Sequence, residues 1–454
     1  MIGQQIMRNK EYGVLLRLSG PILAGQLGSI ATGFADNIMV GRYSTEALAS
    51  ASFVNNVFNV AILCCVGFTM GITPLVGALY SRGEHRRTGA LMRAAAVVNT
   101  VFALLVTAVM GVIFLNLGHM HQPPELLPLI RPYFLLTLAG VLPLALFNAF
   151  EQWSFGINNT LAPMWIILGG NILNIFGNWL LIYGAGGCPE LGLTGAGIST
   201  LFSRIVVCAA MIWYFVASRK GRPYRSAFAA ARCTRSDVRL LVSTSLPVAL
   251  QMAFETSCFS VAVIMVGELG KVALAAYQIV LITGTLGFCI YYSVGAAVAV
   301  RVSNAMGAGD YEGMRHIART GYIIILAIML LSSSVFVFGG RWIMGAFTAD
   351  NAVLTLALSL IFPLVLYQFG DATQITFANA LRGTARVMPM LWISFVSYLV
   401  VGLPVAYTLC FPAGLGVYGV MLSFSVALFM AGALFLTYFL RASSPKKQQK
   451  DLSL

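Results

Sequence analysis

The chain has 454 residues, of which 59% are apolar and only 9% charged, with a formal net charge of +13 and a mean hydropathy of +0.85. A soluble chain of this length carries about 25% charged residues over two or three domains, so there is too little charge here to cover a water-facing surface. That excludes a cytosolic enzyme, a secreted domain and a nucleic-acid binder, and leaves lipid as the main solvent.

A hydrocarbon core about 30 Å thick takes roughly 20 helical residues per crossing. Cutting the sequence where Gly, Pro and charges cluster predicts twelve spans: 14–40, 47–79, 89–117, 132–153, 162–183, 195–217, 240–267, 272–302, 321–339, 352–380, 388–411 and 415–440. Their continuous apolar texture predicts helices rather than the alternating strands of a barrel, hence an all-α polytopic membrane protein. No short apolar core with a small-residue cleavage site opens the chain, so the first stretch reads as a retained span.

Span 1 carries Pro21, Gln26 and Asp36. Proline removes a backbone hydrogen bond and permits a kink, which makes Pro21 a candidate hinge. A charged group costs at least about 2.5 kcal/mol at the centre of a span, so Asp36 is expected to face protein or water and to have a role. Glu151, near the end of span 4, and Arg204, in span 6, are weaker candidates of the same kind. In span 5, Asn174 and Asn178 lie one helical turn apart at a depth comparable with Asp36, and their carbonyl oxygens suit Na⁺ or the tuning of a proton site. Span 7 carries Phe254 and Glu255, and span 10 carries Tyr367 and Asp371. Span 8 adds Gln278, Phe288, Tyr291 and Tyr292. Aromatic faces attract organic cations, worth about 2 kcal/mol or more when desolvated. The aromatics, with Gln26 and Gln278, are therefore candidate cavity residues.

Loop charge sets the direction of the spans. One side holds Arg8 and Lys10, Arg82, Arg86 and Arg87, the arginines and lysine of the 218–239 connector, Arg301, Arg315 and Arg319, Arg382 and Arg386, and the tail with Lys446, Lys447 and Lys450. The other side holds only Arg42, Arg131, Lys271 and Arg341. The positive-inside rule puts both termini in the cytoplasm, and the basic balance is a topology signal rather than a sign of a polyanion partner. The eight cysteines are scattered, mostly within apolar runs, and read as small core hydrophobes. The four histidines have no ligand spacing, so neither a metal site nor a cofactor is expected.

The chain also repeats itself at a step of 226 residues. Ile38-Met39-Val40-Gly41 recurs as Ile264-Met265-Val266-Gly267, Ala47-Leu48-Ala49 as Ala273-Leu274-Ala275, Pro21 as Pro247, and Pro163-Met164 as Pro389-Met390. This predicts two homologous six-helix lobes, 1–217 and 240–440, joined by a connector at 218–239 and followed by a tail at 441–454. Six spans per copy make the repeats parallel, an arrangement that places a cavity between halves and works by rocking one against the other. The step maps Asp36 onto Ala262 and Glu255 onto Ser29, so the halves differ at their charged positions.

With Pro21, Gln26, Asp36 and Met39-Val40-Gly41 in span 1, Asn174 and Asn178 in span 5, Pro247 and Glu255 in span 7, and Asp371 ahead of Leu381-Arg382-Gly383, the sequence resembles the multidrug and toxic compound extrusion (MATE) transporters. The likeness is to their NorM-like bacterial branch and runs from Leu15 to about Leu440. It implies a V-shaped two-lobe architecture in a bacterial inner membrane. It also implies one cation site at Asp36 with span-5 polar residues and another at Glu255 and Asp371, with Na⁺ or H⁺ entry driving export of amphipathic organic cations. Some relatives carry an acid where Asn178 stands, which weakens a sodium site there. The expectation is a monomeric cation-coupled antiporter; a flippase for lipid-linked sugars is the alternative. An intramembrane enzyme is not supported, since no H-E-x-x-H and no G-x-S-x-G within a span is present.

Overall fold

The computed structural model describes residues 2–120 and 123–444. His121 and the tail lysines Lys446, Lys447 and Lys450 lie outside the described residues. Among the described residues all regular structure is helical. Eleven helices are long and apolar enough to cross a membrane: Glu11–Tyr43, Thr45–Ser81, His85–Leu115, Pro124–Gly156, Leu161–Tyr183, Gly192–Ala217, Arg235–Glu268, Lys271–Gly307, Tyr311–Gly345, Met388–Cys410 and Gly416–Ala442. A twelfth span is the pair Asn351–Ser359 and Ile361–Gly383, bent by 47° at Leu360. The twelve coincide in order with the predicted spans and are numbered likewise.

The repeat is visible in the helix boundaries. Thr45–Ser81 recurs as Lys271–Gly307, and the next helix of each copy starts at His85 and at Tyr311, all at the 226-residue step. Internally the copies differ. Span 2 is interrupted between Thr69 and Ile72, while its counterpart Lys271–Gly307 is unbroken. Gly71 at that interruption packs so closely that a Cβ would lie 2.8 Å from backbone atoms of Ser245. Span 4 is divided at Gly140, and span 11 widens into a π-helix over Phe395–Gly402.

The chain divides into two compact units, Met1–Leu23 with Leu250–Leu454, and Ala24–Ala249. The division does not fall at the connector. It falls within spans 1 and 7, two residues after Pro21 and two residues after Pro247 in helices that run unbroken through both prolines. In the first unit, Arg301 grips Glu11 through two parallel bonds of 2.8 and 3.1 Å, tying the start of span 1 to span 8. A two-pronged guanidinium–carboxylate pair fixes orientation as well as distance.

In the second unit the connector is itself packed. A short helix, Arg222–Ala230, buries Tyr224 against Trp153 and sets Phe228 against Phe150 and Phe215. Arg93 Nη1 donates to the carbonyls of Phe228 and Ala229 at 3.1 and 3.3 Å, and Lys220 donates to Asn159 Oδ1 at 3.0 Å. The first part of span 7 joins the same core through Leu241 and Ala249. Of the cysteines, five are buried, Cys64 and Cys188 are half-buried, and Cys233 in the connector is exposed.

Candidate ion-coupling sites

In the 24–249 unit a group of polar side chains from spans 4, 5 and 6 lies around Asp36. Asn178 is fully buried and donates through Nδ2 to Asp36 Oδ1 at 2.5 Å. Asn174, one turn earlier, donates to Thr200 Oγ1 at 3.2 Å, and its backbone carbonyl accepts from Ser199 at 2.8 Å. Spans 5 and 6 can approach this closely because Gly170 and Gly177 face Val207 and Ser199, where a Cβ would lie 2.1 and 2.5 Å from the opposing atoms. Tyr133 from span 4 pairs with Asn55 at 3.4 Å and, like Arg204, lies within electrostatic range of Asp36. Tyr183 donates to the carbonyl of Met39 at 2.7 Å and pins the C-terminal part of span 1 to span 5. The side-chain carbonyls of Asn174 and Asn178 are buried and take no hydrogen bond.

In the other unit the acids are two. Asp371 is 2% exposed and Glu255 lies within electrostatic range of it. Tyr367 faces both acids, and Tyr277 and Tyr291 lie close to Tyr367. Glu255 and Tyr398 face one another, although the Tyr398 hydroxyl meets no acceptor at hydrogen-bond geometry. Around them, Tyr291 Oη and Ser332 Oγ are 2.8 Å apart, and Ser332 and Ser333 both donate to Gln368 Oε1 at 3.3 Å. The Tyr277 hydroxyl and Gln368 Nε2 are buried without partners. Two carboxylates, one buried and one half-buried, in a hydroxyl-lined place repel each other and lose hydration, so a positive partner favours their charged forms. Oxygen ligands of this kind suit a hard monovalent cation or a proton.

The structure thus brings Glu255, Asp371, Tyr367 and Tyr291 together, and separately Asp36, Asn174 and Asn178. It does not gather the remaining cavity candidates at the acids. Gln26 and Gln278 are exposed. Phe254 packs edge-on to Phe395, and Phe288 stacks on Tyr292, which lies within range of Arg382. Sequence reasoning missed Tyr398, Thr200 and Ser332. The signal for Tyr398 was available: Ser394, Ser397 and Tyr398 put three hydroxyls within about one turn of an apolar stretch.

A duplicated set of six spans, with an acid held among polar side chains in each half, is the plan of a membrane transporter. The MatE family model matches the chain twice, over residues 21–180 and 247–408, at nearly the same 226-residue step. The chain belongs to that family, the MATE transporters. It is 32% identical over 407 residues to the multidrug resistance protein PmpM of Pseudomonas aeruginosa, covering 88% of this chain and 84% of the relative. To the multidrug resistance protein NorM of Vibrio cholerae it is 28% identical over 400 residues, covering 88% of each. Among solved structures, a MATE in the bent conformation is similar with a TM-score of 0.88 at 18% identity, covering 99% of both chains. The eukaryotic MATE transporter AtDTX14 is similar with a TM-score of 0.84, also at 18% identity, covering 96% of this chain and 98% of that one.

Proposed function

We propose that the protein is a cation-coupled antiporter that exports amphipathic organic cations by alternating access, with Na⁺ or H⁺ as the coupling ion. The observation that carries this reading is the pairing of half-buried Glu255 with buried Asp371 inside a ring of hydroxyls, in a chain whose relatives are multidrug resistance proteins. Binding a cation there removes the repulsion between the acids. The ion and the drug need not touch, since each can bias the same two-state equilibrium. Asp36 with Asn178 and Asn174 is assigned to coupling in the N-terminal half, with Pro21 as the hinge of span 1.

The alternative cargo, a lipid-linked sugar, carries a pyrophosphate that calls for several cavity arginines or lysines. Vesicles containing the protein separate the two: a fluorescent organic cation should be exported and a fluorescent lipid-linked sugar should not change leaflet. The reverse result would favour the flippase.

The same reading places the protein in a bacterial inner membrane as a monomer, with both termini and the 218–239 connector in the cytoplasm. Cys233 offers a direct check, because it is exposed on that connector. In a variant keeping only this cysteine, a membrane-impermeant thiol reagent should label it after cells are opened and not before. Labelling of intact cells would reverse the topology.

A further inference from the structure

Arg204, in the helix Gly192–Ala217, is a charge within the spans of the 24–249 unit that the coupling reading leaves without a task. Its Nη1 is buried and has no hydrogen-bond partner, a costly state for a charged donor. The fold makes room for it. At the break in span 4, Gly140 lies so near that a Cβ would fall 2.8 Å from Arg204 Nη1 and 3.1 Å from its Cδ. The groups that feel the guanidinium are Tyr133 from span 4 and Asp36 from span 1. Span 5 supplies Asn178, bonded to Asp36, and with Asn174 it adds two buried carbonyl oxygens that accept nothing.

One carboxylate and two amide carbonyls are a ligand set for a hard monovalent cation. Here a cation is already present and attached to the chain. Arginine keeps its charge in any protein environment, so a second cation approaching Asp36 meets repulsion in a medium where charge is poorly screened. We propose that Arg204 is a tethered counter-cation that bars Na⁺ from Asp36, Asn174 and Asn178. It is a specificity-determining residue of the N-terminal half. The proposal deepens the coupling reading and rests on it only in taking Asp36 to be ionised in part of the cycle. Sodium sensitivity of this transporter then resides in Glu255 and Asp371 and not in Asp36.

The test is Na⁺-dependent thermal stabilisation of the purified full-length protein, with K⁺ at equal ionic strength as control. In a Glu255→Gln background, no Na⁺-specific stabilisation is expected. Adding Arg204→Gln should create one, with an apparent Na⁺ affinity at least about tenfold higher than in its parent. Adding Asp36→Asn should remove it again, and Arg204→Lys, which keeps the charge, should not create it. Arg204→Met serves if the glutamine variant does not fold. An Asp36-dependent Na⁺ response while Arg204 is still present, or none after its charge is removed, overturns the proposal. A wild-type Na⁺ response untouched by Glu255→Gln would instead overturn the C-terminal coupling reading, and the Asp36 comparison would still decide the role of Arg204.

Discussion

Glu255→Gln and Asp371→Asn should each reduce ion-driven efflux by at least about tenfold while the protein still inserts and folds. Each substitution keeps the shape of the side chain and its capacity for hydrogen bonds, and removes the charge. Asp371 is nearly inaccessible, so its loss cannot act through solvent or lipid contact. A mere packing role would leave transport close to wild type, because the amide fills the same space among Tyr367, Tyr398 and Tyr291. Tyr367→Phe belongs beside them as a milder control: it removes one hydroxyl oxygen from the ring around the acids and should weaken coupling without abolishing it. Efflux of a fluorescent cation, measured alongside thermal unfolding, separates the outcomes. Wild-type efflux in both acid variants would make the acids structural.

Asp36→Asn should also impair efflux severely, by a route independent of the first. Asp36 belongs to the compact unit 24–249, whereas Glu255 and Asp371 belong to the other. Its partners, Asn178, Tyr133 and Arg204, are all in its own unit. An amide at position 36 can still meet Asn178 after that side chain turns over, so the helices stay joined while the charge that answers Arg204 is gone. Transport should therefore fall at least about tenfold, and Na⁺-induced stabilisation from Glu255 and Asp371 should survive. Loss of the sodium response in Asp36→Asn alone, with Glu255→Gln unaffected, would place sodium in the N-terminal half and contradict the assignment.

Much of this architecture is legible in the sequence because lipid imposes a simple code. Twenty apolar residues make a span, and charges that interrupt them make a loop, so all twelve spans and their repeat could be read without coordinates. Asn174 and Asn178 were legible for a similar reason: one-turn spacing puts both on one helix face, and few polar residues occur nearby. What depended on tertiary packing was not legible. The breaks at Gly71 and Gly140 respond to Ser245 and Arg204, which are 174 and 64 residues away along the chain. The connector read as a charged loop, yet Tyr224 and Phe228, four residues apart, form the apolar edge of a docked helix. Tyr398 escaped notice because the π-helical turn at Phe395–Gly402 alters which residues share a face. The division of spans 1 and 7 between compact units follows from contacts such as Glu11 with Arg301, which no local pattern announces.

In the proposed mechanism, inward cation movement drives export of an organic cation. Its most direct test uses vesicles containing only this protein and a fluorescent organic cation, with a Na⁺ gradient and a proton gradient imposed separately. One of the two gradients should start export of the dye, and an ionophore that collapses that gradient should stop it. The Glu255→Gln protein in the same vesicles should stay silent. Dye movement that is equally fast with neither gradient, or that persists after the ionophore, would rule out cation-coupled export.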